Sequence, residues 1–82
     1  MEDHEIIRRI GELADEERRL EEAHASTSEG LDGAERARLD QLQVTLDQLW
    51  DLLRQRRALR QAGRDPDEAV ERPPKTVERY QQ

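Results

Sequence analysis

The sequence predicts an all-α protein: an antiparallel, coiled-coil-like two-helix hairpin, followed by a short C-terminal helical turn and an extended tail. Ala, Glu, Lys, Leu and Arg make up 44 of the 82 residues, a composition typical of coiled coils and long helices. Apolar residues also recur every three or four positions along two segments, which a short polar stretch separates. Because a short link leaves consecutive helices side by side, the two helices should run in opposite directions.

A low aliphatic content leaves disorder as the competing interpretation. Leu, Ile and Val number only 16 of 82 residues, and the net charge is −6, values close to those of disordered chains. The regular spacing of these few residues favours helices, each with one buried face.

The first helix is predicted over about residues 3–24. Asp3 can cap its start, where acidic side chains also favour the positive end of the helix dipole. Its stripe steps by four and three residues through Ile6, Ile10, Leu13, Glu17, Leu20 and His24.

Small and polar residues predict a loop over 25–31, and the second helix is predicted over about 32–62. Asp32 and Glu35 have the spacing of a capping box, and Gly63 suits the position just after the helix. The apolar stripe of this helix contains Leu39, Leu42, Leu46, Leu49 and Leu53, with Trp50, Leu52 and Leu59 at its edges.

The chain then divides into a hairpin, residues 1–63, and a C-terminal segment, residues 64–82. Asp65, Pro66 and Glu68 form a compact helix start, with Glu68 placed for a capping box. The two prolines after Arg72 force extended backbone. Val77 and Tyr80, three residues apart, could hold the tail against the second helix.

Charge predicts the register of the hairpin. Residues 1–31 have a net charge of −6, whereas the second helix ends in a basic block without acidic residues. Antiparallel pairing brings the acidic start of the first helix to this block and places Ile6 near Asp51. The block comprises Arg54, Arg56, Arg57, Arg60 and Arg64.

Two helices alone bury too little apolar surface for a stable fold, and small scaffolds usually need a further staple. The chain has no cysteine for a disulfide. The sequence therefore predicts a homodimer that forms a four-helix bundle, or association with another protein.

The segment from Leu46 to Ala58, followed by that from Ala62 to Ala69, resembles a family of short actinobacterial proteins, domain of unknown function family 2630. Arg72-Pro73 and the residues 77–80 are similar to the family's ending, with Arg79 where a glycine is expected. The resemblance implies a small helical protein without an assigned activity, cofactor or catalytic residue.

A metal site is one alternative function. Glu21 and His24 form the Glu-x-x-His pair of di-metal helical bundles, Glu17 lies one turn earlier, and Glu35 could face them across a dimer. Because the pair sits at a helix end in a Glu-rich chain, we favour a solvated helix end. Glu17, at the centre of the apolar stripe, should pair with Arg38 as a polar residue that sets the register.

An arginine patch is the other alternative. Arg56, Arg57 and Arg60, with Trp50 nearby, could bind nucleic acid or an acidic protein. Net acidity argues against nucleic acid, because phosphate contacts supply most of its affinity. We therefore expect these arginines to bridge to the acidic residues of the 65–68 turn or of the first helix, and Trp50 to anchor the core against Ile6 and Ile7.

These observations predict a protein-protein interaction or structural module that is not an enzyme and uses no cofactor. The acidic N-terminus and the absence of a long apolar run predict a cytoplasmic protein with no membrane segment. The predicted interaction residues are Leu42, Leu46, Leu49, Trp50, Leu53, Leu59, Arg56, Arg57 and Arg60.

Overall fold

The computed structural model describes residues 1–25 and 32–75. Helix α1 spans Asp3–Ala25, helix α2 spans Gly33–Gln61, and a 3-10 turn spans Pro66–Glu68. Each helix ends within one residue of its predicted bounds. The residues 26–31 of the predicted loop, together with Val77 and Tyr80, lie outside the described residues.

Local signals in the sequence define both ends of α2. The Asp32 side chain accepts a hydrogen bond from the Glu35 amide at 2.7 Å, and the Glu35 side chain accepts one from the Asp32 amide at 3.2 Å. This confirms the capping box. At the other end, Gly63 adopts a φ of +74°, a left-handed conformation that glycine reaches without strain.

The 3-10 turn is capped differently from the prediction. The Asp65 side chain accepts a hydrogen bond from the Asp67 amide, at 2.9 Å. The carboxylate of Glu68 instead contacts Arg64 on the preceding turn, so it does not complete a capping box. An arginine four residues earlier offers this carboxylate a stronger partner than a backbone amide does.

A single layer of aliphatic side chains between the two helices forms the core. Its members follow the predicted stripes, with Leu20 and Leu52 partly buried against them. Among the described residues, the buried aliphatic side chains are those of Ile6, Ile10, Leu13, Leu42, Leu46, Leu49 and Leu53.

Ion pairs near both ends of the hairpin show that the helices are antiparallel. Arg38, early in α2, contacts Glu16, late in α1, through two nitrogen–oxygen distances of 2.6 and 2.8 Å. Arg56, late in α2, contacts Asp3 at the start of α1. The acidic start of α1 therefore lies beside the basic block, as predicted.

The prediction that Trp50 anchors the core was wrong. Its side chain is 45% exposed, and that of Ile7 is 56% exposed. At about 100° per residue, each lies roughly a quarter turn away from the buried stripe of its own helix. A single partner helix covers one narrow face and leaves these flanks open.

The hydropathy of the helices bears on membrane insertion. Among the described residues, neither α1 nor α2 contains a stretch apolar enough to cross a membrane.

The thin core makes its central leucines essential for folding. Leu42 is 1% exposed, so Leu42→Ala should lower the free energy of unfolding by about 2–4 kcal/mol through lost burial and the cavity it leaves. Val70→Ala, at an exposed position, should change it by less than about 0.5 kcal/mol. Urea unfolding followed by circular dichroism at one fixed protein concentration measures both. Similar losses in the two variants would contradict this account of the core.

Candidate interaction surface

Helix α2 presents three different faces to its surroundings. The first packs its leucines against α1, and the second holds the chain that follows the 3-10 turn. The third carries Trp50 and has no described segment of the chain across it. We refer to these as the core face, the tail face and the bare face.

The tail face is built around a buried ion pair. Asp51, 0% exposed, accepts hydrogen bonds from two nitrogens of the Arg72 guanidinium. One joins Arg72 Nε to Asp51 Oδ2 at 2.9 Å, and the other joins Nη2 to Oδ1. The guanidinium of arginine can form two parallel hydrogen bonds to one carboxylate, which the ammonium of lysine cannot. These two bonds compensate the cost of burying the Asp51 charge.

Two glutamines on the same face hold the backbone of the tail. The Gln55 side chain donates to the Val70 carbonyl at 2.7 Å and accepts from the Val70 amide at 3.3 Å. Gln48 donates to the Arg72 carbonyl at 3.2 Å. Together with the Asp51–Arg72 pair, these contacts form a polar clasp that secures an extended segment on which Val70 itself remains exposed.

The clasp also changes the acidity of Asp51. The hydrogen bonds from Arg72 lower the pKa of the Asp51 carboxyl from its ordinary value of 3.8, and the bond from Gln55 acts in the same direction. Burial opposes this shift because it disfavours the charged form. Asp51 is therefore a carboxylate at neutral pH, as the fork with Arg72 requires.

Arg56 joins all three elements of the fold. It is only 5% exposed, yet its Nε donates to Asp3 at 2.5 Å and its Nη1 donates to Asp67 at 2.8 Å. Arg60 contacts the second Asp3 oxygen at 2.7 Å. The predicted bridges from these arginines, to α1 and to the 3-10 turn, are both present.

These bridges shift the pKa of each partner toward its charged form. Hydrogen bonds from Arg60 and then Arg56 lower the pKa of Asp3, and Arg56 lowers that of Asp67. The two carboxylates raise the pKa of Arg56 in turn. Asp3, Asp67 and Arg56 are therefore all charged at neutral pH.

The bare face lies on the side of the hairpin opposite the clasp. Around α2, Trp50 lies about 80° to one side of the core face, whereas Gln48 and Gln55 lie more than 100° to the other side. Ile7 is displaced from the core stripe of α1 in the same rotational sense as Trp50. In antiparallel helices, equal rotational senses lead to the same side of the pair, so Ile7 and Trp50 share the bare face.

The two exposed side chains also share a level along the hairpin. The ion pair between Asp3 and Arg56 and the one between Glu16 and Arg38 fix the register. Interpolating between them places Ile7 opposite Trp50, within about one residue. Two large apolar side chains, each about half exposed, therefore lie at the same level on one side of the hairpin.

The remaining predicted interaction residues occupy other positions. The four leucines 42, 46, 49 and 53 are buried between the helices, and Leu59 is half-buried. Arg56 and Arg60 are bound to carboxylates of the same chain. Arg57 is exposed, about two turns after Trp50 toward the same side.

The metal candidates do not form a site in the described part of the chain. Glu35 belongs to the capping box, while Glu21 and His24 lie on exposed positions near the end of α1. Within residues 1–25 and 32–75, no three His, Cys, Asp or Glu side chains are grouped closely enough to hold a metal ion.

The predicted pairing of Glu17 with Arg38 was wrong. Arg38 contacts Glu16, as described above, and Glu17 is half-buried. Glu16 lies at the edge of the helix interface on the same side as Arg38, where both charges keep contact with water. Pairing there avoids the cost of burying a charge in the centre of the stripe.

The sequence analysis allowed for a tail held against the second helix through Val77 and Tyr80, but it missed the residues that form the clasp. Asp51, Gln48 and Gln55 look like ordinary polar positions of a surface helix, and Arg72 looks like part of a tail. A signal was present nonetheless, because the three helix residues are spaced three and four apart and so form one row.

Acid should weaken the clasp. The lowered pKa of Asp51 means that its contribution to stability is present above the ordinary value of 3.8 and is lost as pH falls through the lower value of the folded state. The difference in unfolding free energy between wild type and Asp51→Asn should therefore be largest near pH 7 and shrink toward pH 2. Urea unfolding across this range measures it, with Asp15→Asn as an exposed control; a difference independent of pH would contradict the assignment.

Removing Arg72 should leave a buried carboxylate without its guanidinium. Arg72→Ala should therefore lower the free energy of unfolding by about 3 kcal/mol, and Arg72→Lys by less, because lysine keeps the charge but not the fork. Arg36→Ala, at an exposed position of α2, is the matched control and should cost less than about 0.5 kcal/mol. Thermal and urea unfolding would show the contribution to be absent if the Arg72 and Arg36 variants lost equal amounts.

Comparison with known proteins confirms the family resemblance. A family model described as protein of unknown function, DUF2630, matches residues 2–82. An uncharacterized protein of Mycobacterium bovis is 48% identical over 80 residues, covering 95% of this chain and 88% of the relative. Uncharacterized proteins from two strains of Mycobacterium tuberculosis match to the same extent.

The comparisons assign no activity. Neither the family description nor the names of these relatives include an enzymatic function, and no solved structure matches the chain. With a family model that spans nearly all of its length, the chain belongs to the DUF2630 family of proteins of unknown function.

Proposed function

We propose that this protein is an interaction or structural module that associates with itself through the bare face of its hairpin. One observation carries the proposal: the leucine stripe is buried within the chain, while Trp50 and Ile7, which the register places opposite each other on the bare face, remain about half exposed. Adjacent large apolar side chains on a small soluble domain are typical of an interface.

The energetics of the fold support a partner. In the described part of the chain, seven aliphatic residues form the buried apolar core, and a core of this size rarely stabilises a small domain by itself. A second copy is present whenever the protein is present, so covering the bare face by self-association needs no other component. The simplest arrangement is a two-fold dimer in which four helices form a bundle.

The predicted interaction residues take two roles in this proposal. Leu42, Leu46, Leu49, Leu53 and Leu59 act from inside the hairpin, and Arg56 and Arg60 act from its end, by fixing the positions of the two helices. Trp50 makes the contact itself, because it is the one aromatic residue that the described part of the chain places on this surface, and aromatic side chains dominate interface energetics. Exposed Arg57 lies toward the rim, where a charge affects specificity more than affinity.

Replacing Trp50 should weaken self-association. We expect Trp50→Ala to raise the dimer dissociation constant by at least about tenfold, the effect of losing a central aromatic contact. Sedimentation equilibrium over a wide concentration range measures this constant. Val70→Ala is the control, since Val70 is exposed on the tail face, and it should leave the constant unchanged.

The wild-type protein provides its own probe. Trp50 is its one tryptophan, so its fluorescence emission should shift to shorter wavelengths as concentration rises and the indole leaves water. A helical wild-type protein that sediments at 9.6 kDa at every concentration, with constant emission, would overturn the proposed function.

A further inference from the structure

No contact within residues 1–25 and 32–75 explains a glycine in the middle of α1. Gly11 is exposed, and a Cβ atom built on it would meet no atom within 4 Å. Its φ is also an ordinary helical one, since Gly63 has the one positive φ among the described residues. Because glycine destabilises a helix interior relative to alanine, neither packing nor backbone conformation within the chain accounts for it.

Gly11 lies on the bare face. It follows Ile7 by one helical turn, and Ala14 occupies the next turn on that side. On this side of α1, the bulky side chain of Ile7 is therefore followed by a shallow notch at Gly11, with the small side chain of Ala14 on its other side. On α2, Trp50 lies opposite Ile7, about one helical turn from the level of this notch.

We infer that Trp50 of one copy packs against Ile7 and into the Gly11 notch of a second copy, and that the second copy returns the same contact. This inference rests on the proposed function and specifies its interface. A two-fold interface requires one patch to carry both complementary shapes, and the bare face carries both, a protruding indole and a notch. Any other partner would have to supply these shapes separately.

The size of the bare face is sufficient for a dimer. Helix α1 has 23 residues, which extend about 35 Å at 1.5 Å per residue. Two helices side by side are about 20 Å wide, so the face has a projected area of roughly 700 Å². A standard interface buries about 800 Å² of accessible surface on each partner, and accessible surface exceeds projected area on a ridged face.

Charge does not oppose the contact. Around the notch, the exposed side chains directed toward the bare face include Gln43 and Arg57 on α2 and Arg18 on α1. These three lie more than one helical turn from the centre of the patch at Trp50 and Ile7. Closer to it, the half-buried residues Asp47 and Arg54 lie one turn before and one turn after Trp50 on the same side of α2. The charged groups nearest the centre on α2 are therefore one acidic and one basic residue, so this part of the patch has no excess of one sign.

The substitution Gly11→Leu distinguishes two explanations of association: contact through a notch of defined shape, and contact through any apolar surface. Leucine favours the helix more than glycine does and adds apolar area, so a face that associated through general stickiness would bind more tightly. If the notch receives Trp50, the leucine fills it, and the dissociation constant should rise at least tenfold. Arg19→Leu, which adds the same side chain at an exposed position of α1 two turns away from Gly11, is the matched control and should not weaken association.

A double-mutant cycle then tests the partner of the notch. In a Trp50→Ala background no indole remains to be displaced, so Gly11→Leu should no longer weaken association. Sedimentation equilibrium gives each dissociation constant, and circular dichroism verifies that every variant keeps the helicity of the wild type.

The outcomes distinguish the two proposals. If the wild type dimerises but Gly11→Leu dimerises equally or more tightly, the notch contact is overturned and self-association stands. An equal weakening by Gly11→Leu with and without Trp50 would also overturn it. If the wild type is monomeric throughout, the proposed function fails, and the inference fails with it.

Discussion

The buried guanidinium of Arg56 is the contact on which the arrangement of the three elements depends. It lies at the end of the core stripe of α2, and it contacts Asp3 at the start of α1 and Asp67 in the 3-10 turn. A planar group with five donors can satisfy two carboxylates at once. The helix pairing and the path of the chain after α2 are thus linked through one side chain.

This use of charge compensates for the small apolar core. The chain is 41% charged and 33% hydrophobic, so the helices cannot be held by aliphatic packing over their whole circumference. Apolar contact is confined to one stripe, and polar groups take over beyond it. The tail is held by a buried ion pair and two glutamines, while the ends of the hairpin are held by arginine and carboxylate pairs. Each polar contact is directional, so it specifies register and tail position as well as contributing stability.

The distribution of contacts around α2 also explains why the bare face exists. The clasp recruits the chain after the 3-10 turn to the side of α2 that carries Gln48, Asp51 and Gln55. The described chain has one segment after the 3-10 turn, and it covers the tail face of α2. The bare face, which carries Trp50, therefore stays uncovered by the described residues. Within residues 1–25 and 32–75, this chain therefore combines a side of α2 that the tail covers with an opposite side that carries an exposed tryptophan.

The sequence by itself determined the helices, their ends and their pairing. Spacings of three and four residues, the Asp32–Glu35 capping box and Gly63 are local signals whose effect does not depend on the rest of the chain. The separation of acidic and basic residues along the chain was enough to predict which ends meet. The arginine bridges followed from the same charges.

Only the tertiary structure decided which flank of α2 the tail covers. Asp51 and Trp50 are neighbours in sequence, yet the charged residue is fully buried and the aromatic one is half exposed, the reverse of what hydrophobicity predicts. Asp51 is buried because it pairs with Arg72, which is 21 residues further along the chain. The spacing of apolar residues in the sequence does not predict this contact. The apolar stripe of α2 predicts which face packs against α1. Which of the remaining faces is covered and which stays exposed depends on the long-range contact between Asp51 and Arg72, two charged residues of ordinary appearance in the sequence.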